Sequence, residues 1–111
     1  MKRWLTTWFP GCLGALALGF AGLGTAQAQT AQALQARSLA ATCASCHGSG
    51  GRAVDGAAVP GLAGMPAAYM VEQLKAFKAG TRSATVMHQI AKGYSDAQTE
   101  QLAAYFAAQK K

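Results

Sequence analysis

Apolar residues recur at helical spacing in three stretches of this chain, and nowhere do they alternate in the two-residue rhythm of a strand. Residues 31–43 are strong helix formers, with Ala36, Leu39, Ala40 and Cys43 on one face. The small side chains on that face leave room for a neighbouring helix to approach closely. A second helix is predicted to begin at Pro66, which the first turn tolerates, and to stop before Gly80 as a C-cap. Its apolar face carries Met70, Leu74 and Phe77 with Val71 beside them, while Glu72, Lys75 and Lys78 point elsewhere. The third helix starts at Ser95, because Gln98 three residues later completes a capping-box pattern. Leu102, Tyr105 and Phe106 give it an aromatic-rich face up to about residue 109. Residues 48–64 carry six glycines and Pro60 without periodicity, and are expected to form an irregular loop. The pattern is all-α, with about three main helices.

The beginning of the chain follows a different logic. Met1, Lys2 and Arg3 open with positive charge, residues 13–26 form an apolar run punctuated by glycine, and Ala26-Gln27-Ala28 places small residues where an A-x-A cleavage site needs them. Residues 1–28 are therefore expected to be a secretory signal peptide, leaving a domain over residues 29–111. The apolar run is shorter than the roughly 20 residues a membrane span requires, so no permanent anchor is expected after cleavage. Cys12 precedes most of that run and is not placed for lipid attachment.

Processing changes charge and size. The whole chain of 111 residues carries a formal charge of +6. The expected mature part has eight basic residues (Arg37, Arg52, Lys75, Lys78, Arg82, Lys92, Lys110, Lys111) against four acidic ones (Asp55, Glu72, Asp96, Glu100), a balance of +4. The cations are scattered without interleaved aromatics, which argues against nucleic-acid binding. A mild positive field suits association with an acidic protein partner instead. A chain this short buries a modest core and usually needs a staple, a metal or a cofactor.

The stretch Cys43-Ala44-Ser45-Cys46-His47 supplies one. Its C-x-x-C-H spacing is that of covalent haem attachment: each thiol can add across one vinyl group of a porphyrin, and the following imidazole offers its lone pair to the iron. A thioredoxin-like dithiol would sit near a βαβ pattern, which is absent. A structural zinc site would need four ligands, and beyond the pentad the mature part offers only His88 as a nitrogen donor.

What binds the other face of the iron decides the chemistry. The candidates are Met65, Met70, Met87 and His88. Met70 shares the core face of the second helix, and Met65 abuts Pro66 at its start. Met87 lies 40 residues beyond His47, in a non-periodic stretch able to fold over the distal face. Met87 is preferred as sixth ligand, with His88 as a solvent-facing neighbour; ligation by His88 instead would lower the reduction potential. A thioether is a soft, neutral ligand that favours ferrous iron.

These residues together carry a family resemblance. CASCHG, then Pro60-Gly61-Leu62-Ala63-Gly64, then YMVEQLKAF from Tyr69, then Met87 and LAAYFA from Leu102 resemble a small class I c-type cytochrome over nearly the whole mature part. The resemblance implies a compact helical fold around one covalent haem c, in which the first and last helices cross. It also implies that the Pro60 carbonyl accepts a hydrogen bond from the second ring nitrogen of His47. The run from Met87 through Lys92-Gly93-Tyr94-Ser95 is similar to the single-haem cytochrome subunit of flavocytochrome c sulfide dehydrogenase, where a flavoprotein subunit oxidises sulfide and hands over electrons. No flavin-binding glycine fingerprint occurs here, so that flavoprotein would be a separate chain. Three functions follow as expectations: a periplasmic electron-transfer subunit of such an enzyme, a free cytochrome shuttling between a dehydrogenase and an oxidase or reductase, and a ligand-binding or peroxidatic haem protein. The last requires an open distal site, against which Met87 argues. No acid/base pair or nucleophile constellation marks the chain itself as an enzyme.

Overall fold

The structure, a computed structural model, describes the backbone of residues 21–111 and the side chains of residues 30–111. The expected signal segment falls largely outside the described residues. Residues 32–111 form one compact unit. Five helices are described: α1 (Ala21–Ala41), α2 (Ala44–His47), α3 (Ala67–Ala79), α4 (Met87–Lys92) and α5 (Asp96–Ala107). No strand occurs among the described residues.

The three long helices are the three that periodicity predicts, with boundaries set by local chemistry. α1 runs further back than expected, from Ala21, and stops at Ala41 instead of carrying Cys43 inside it. Its end is tightened by bonds from Thr42 N to Leu39 O and from Cys43 N to Ala40 O. Pro66 stands just outside α3 rather than in its first turn, because its ψ of 129° is extended. Gly80 ends α3 in the left-handed conformation, at φ 77°. Gly80 N bonds to Phe77 O and Thr81 N to Ala76 O, a Schellman closure. At α5, Gln98 N donates to Ser95 Oγ and Ser95 N donates to Gln98 Oε1, so the reciprocal cap is complete.

The stretch around Met87 departs from expectation. It is α4, a helix of six residues, too short to leave a periodic signal. α3 packs against both α4 and α5. The core joins Ala40 of α1, Met70 of α3 and Leu102, Ala103 and Phe106 of α5, all nearly inaccessible. Two of its members are alanines, and Ala103 is fully buried.

The glycine-rich loop contains one turn of 3-10 helix at Ser49–Gly51 and is pinned to the far end of α5. Gly64 N donates to Phe106 O at 2.9 Å, and Arg52 Nη1 donates to Lys110 O at 3.0 Å. Gly51 is one position where the backbone requires glycine. Its φ is +78°, and an added Cβ would lie 2.8 Å from Phe106 Cδ1 and 2.9 Å from Ala63 N. Its carbonyl also accepts from Leu62 N at 2.7 Å and Ala63 N at 3.0 Å, so the segment cannot slide away without losing both bonds. Gly51→Ala should destabilise the domain by about 2–3 kcal/mol through strain and overpacking. Denaturant titration of the purified protein measures it; an unchanged midpoint would contradict the packing described.

A candidate haem site

α1 ends just before the pentad, and the pentad forms the single turn α2. Cys43 is half-buried against the core, whereas Cys46 is exposed, and the two thiols are not paired in a disulfide. Burial pushes the Cys43 thiol up.

His47 is buried, and its Nδ1 lies 2.7 Å from the Pro60 carbonyl oxygen. A carbonyl can only accept, so Nδ1 carries the proton and donates, leaving Nε2 with a free lone pair. The glycine-rich loop thus has a structural task. It brings Pro60, thirteen residues away, against the ring and holds its orientation.

Cys43, Cys46 and His47 line one wall of a cavity of about 350 Å³. Pro60, Leu62, Leu74, Phe77, Leu102 and Phe106 make much of the rest, an apolar lining drawn from the loop, α3 and α5. Met87 lines the same cavity, and so do Met65 and Met70, whereas His88 does not. The three thioethers differ in their surroundings. Met70 is a member of the buried core and Met65 packs against it, but Met87 belongs to neither group. His88 is half-buried.

A flat, largely apolar macrocycle with two vinyl groups and a central iron fits this donor set: two thiols three positions apart, an imidazole with its outer nitrogen committed, an apolar hollow and an uncommitted thioether. A zinc site does not fit, because no group of three or more His, Cys, Asp or Glu residues among the described residues could hold a metal ion.

The structure adds polar residues that pattern reading did not single out. Arg82 lines the cavity with its guanidinium 4.5 Å from the centre of the Phe77 ring, and it donates to Gln73 Oε1. Thr42 and Tyr94 also line the cavity and meet each other at 2.6 Å. Cross-chain pairs of this kind leave no periodic trace.

The chain is similar to several known proteins. Over 64 residues the chain is 44% identical to the thiosulfate dehydrogenase electron acceptor of Thiomonas intermedia, covering 58% of this chain and 30% of that protein. It is 38% identical over 64 residues to the cytochrome subunit of sulfide dehydrogenase of Chlorobaculum tepidum, covering 58% of this chain and 56% of that one. It is 35% identical over 71 residues to cytochrome c-554(548) of Halomonas halodenitrificans, covering 61% of this chain and 84% of that protein. The chain thus spans under a third of the thiosulfate relative, but most of the Halomonas cytochrome. A family model, Cytochrome c, matches residues 32–110, nearly the whole of the compact unit. The chain therefore belongs to the cytochrome c family, whose members carry covalent haem c and move electrons.

Proposed function

We propose that this domain passes single electrons in the periplasm through one haem c, held by thioethers to Cys43 and Cys46 with His47 and Met87 as axial ligands, and that its donor is a sulfur-oxidising dehydrogenase. The observation that carries the site is the presence of both His47 and Met87 on one cavity that also presents the two thiols. When bound, the haem iron supplies a one-electron couple between ferric and ferrous states. The residues do the rest. The Pro60 carbonyl polarises the His47 ring and fixes its direction, Met87 favours the reduced state, and the apolar lining excludes water. A filled sixth position leaves no room for substrate, which separates an electron carrier from a ligand-binding haem protein.

The donor is read from chemistry at the family level. Two relatives bear names tied to dehydrogenases of reduced sulfur compounds, and the Met87-to-Ser95 segment resembles the sulfide dehydrogenase cytochrome subunit. The partner is then a separate flavoprotein that oxidises sulfide. Export follows from the features of residues 1–28, and among the described residues no helix is long and apolar enough to cross a membrane.

Purification of the full chain from its native host tests the partner. A permanent subunit should stay with a flavin-containing chain at high salt, since obligate interfaces are large and apolar. Recovery as a monomer, with partner contacts that weaken as salt rises, identifies a diffusible shuttle instead.

A further inference from the structure

The segment after Met87 is tied back to the segment before Cys43 by one side chain. Tyr94 lies two residues beyond the end of α4, and its phenol oxygen is 2.6 Å from Thr42 Oγ1, across 52 positions of sequence. The direction of that bond follows from its surroundings. Thr42 has one hydroxyl proton and donates it to Leu39 O at 2.7 Å, so the phenol is the donor and Thr42 Oγ1 the acceptor. The backbone of Tyr94 is held as well. Its carbonyl accepts from Lys78 Nζ at 2.8 Å, and the same ammonium pairs with Asp96 at 3.3 Å. Its N–H bonds to Ala91 O at 3.3 Å, joining it to the last turn of α4.

We infer that Tyr94 is a positioning residue for the distal ligand, a bracket that keeps α4, with Met87 at its first position, closed over the haem-bearing segment. The inference rests on Met87 as the sixth ligand. Three facts support it together. α4 is one and a half turns long and has no side-chain cap at Val86, so it has little stability of its own. Tyr94 and Thr42 both line the haem cavity, so their bond joins the segment after α4 to the segment before Cys43 within the cavity wall. Thr42 is the neighbour of Cys43, which covalent attachment makes a fixed point. Loss of the phenol hydroxyl therefore frees α4 to lift while the capping box and the core remain intact.

External imidazole binds ferric haem only when the methionine has left, so its apparent affinity reports the fraction of open molecules. Tyr94→Phe keeps the ring and removes the hydroxyl. Loss of one hydrogen bond specific to the closed form should raise imidazole affinity roughly tenfold at neutral pH. Thr42→Val removes the same bond from the other side and should act alike, and the double variant should add little to either. Ser95→Ala is the control for general destabilisation: it weakens α5 without touching the phenol, and should lower thermal stability while leaving imidazole affinity within about twofold. Imidazole affinity unchanged in Tyr94→Phe, or raised equally by Ser95→Ala, overturns the bracket. Failure of the ligand reading looks different. The sulfur-to-iron charge-transfer band would then be missing from the unaltered protein or persist in Met87→Ala, and the bracket would fall with it.

Discussion

Met87→Ala should abolish the far-red sulfur-to-iron charge-transfer band of the ferric protein and lower the reduction potential on the order of 0.2 V, within the span that axial ligands control. The expected effect is large because the thioether acts on the iron directly. A neutral, polarisable sulfur stabilises the ferrous state, whereas the water or hydroxide that follows alanine stabilises the ferric one. Met87 can be replaced with little damage elsewhere, since it stands apart from the core cluster that holds Met70 and packs Met65. Absorption spectroscopy and redox titration of the oxidised and reduced variant decide the matter. A band that survives in Met87→Ala transfers ligation to Met65 or Met70, both of which line the cavity. Met65→Leu would then remove it or leave Met70 as the source.

Cys43→Ser combined with Cys46→Ser should leave a chain that neither retains pigment after denaturing electrophoresis nor folds. The cavity explains why loss of the cofactor is a folding defect. At about 24 cal/mol per Å³ of residual cavity, a hollow of 350 Å³ corresponds to roughly 8 kcal/mol, an upper bound because an open mouth admits water. That is comparable with the whole stability of a small domain, about 5–15 kcal/mol. The hollow is also lined by Leu102 and Phe106, members of the only buried cluster described, so no second core can take over. Circular dichroism of the double variant reads the helix content directly. A native-like, cooperatively unfolding spectrum without haem would show that the protein core suffices alone.

The long helices were legible because each leaves a repeated trace. α3 and α5 announce themselves through apolar faces and through residues with one mechanical meaning, Gly80 at a left-handed C-cap and the Ser95–Gln98 pair. Cys43, Cys46 and His47 could be picked out as a proposed haem site because they lie within one pentad, and the fold places all three on one cavity. α4 escaped because six residues complete fewer than two turns, and what holds them comes from elsewhere in the chain. For the same reason Met87 could be chosen by distance and elimination, but the Tyr94 phenol on Thr42 could not be foreseen. Arg82 reads in sequence as one more scattered cation. In the fold it sits over Phe77 on the cavity wall.

The buried cluster that Ala40 of α1 and Ala103 of α5 share with Met70, Leu102 and Phe106 bears on the speed of electron exchange. Ala40 and Ala103 are buried there and have no side-chain rotamers to change. Leu102 and Phe106, which flank Ala103 on α5, form part of the cavity wall. A wall that belongs to a close-packed core has little freedom to shift when the charge beside it changes by one. Small nuclear displacement between two oxidation states means a small reorganisation energy, and that permits rapid transfer at a low driving force.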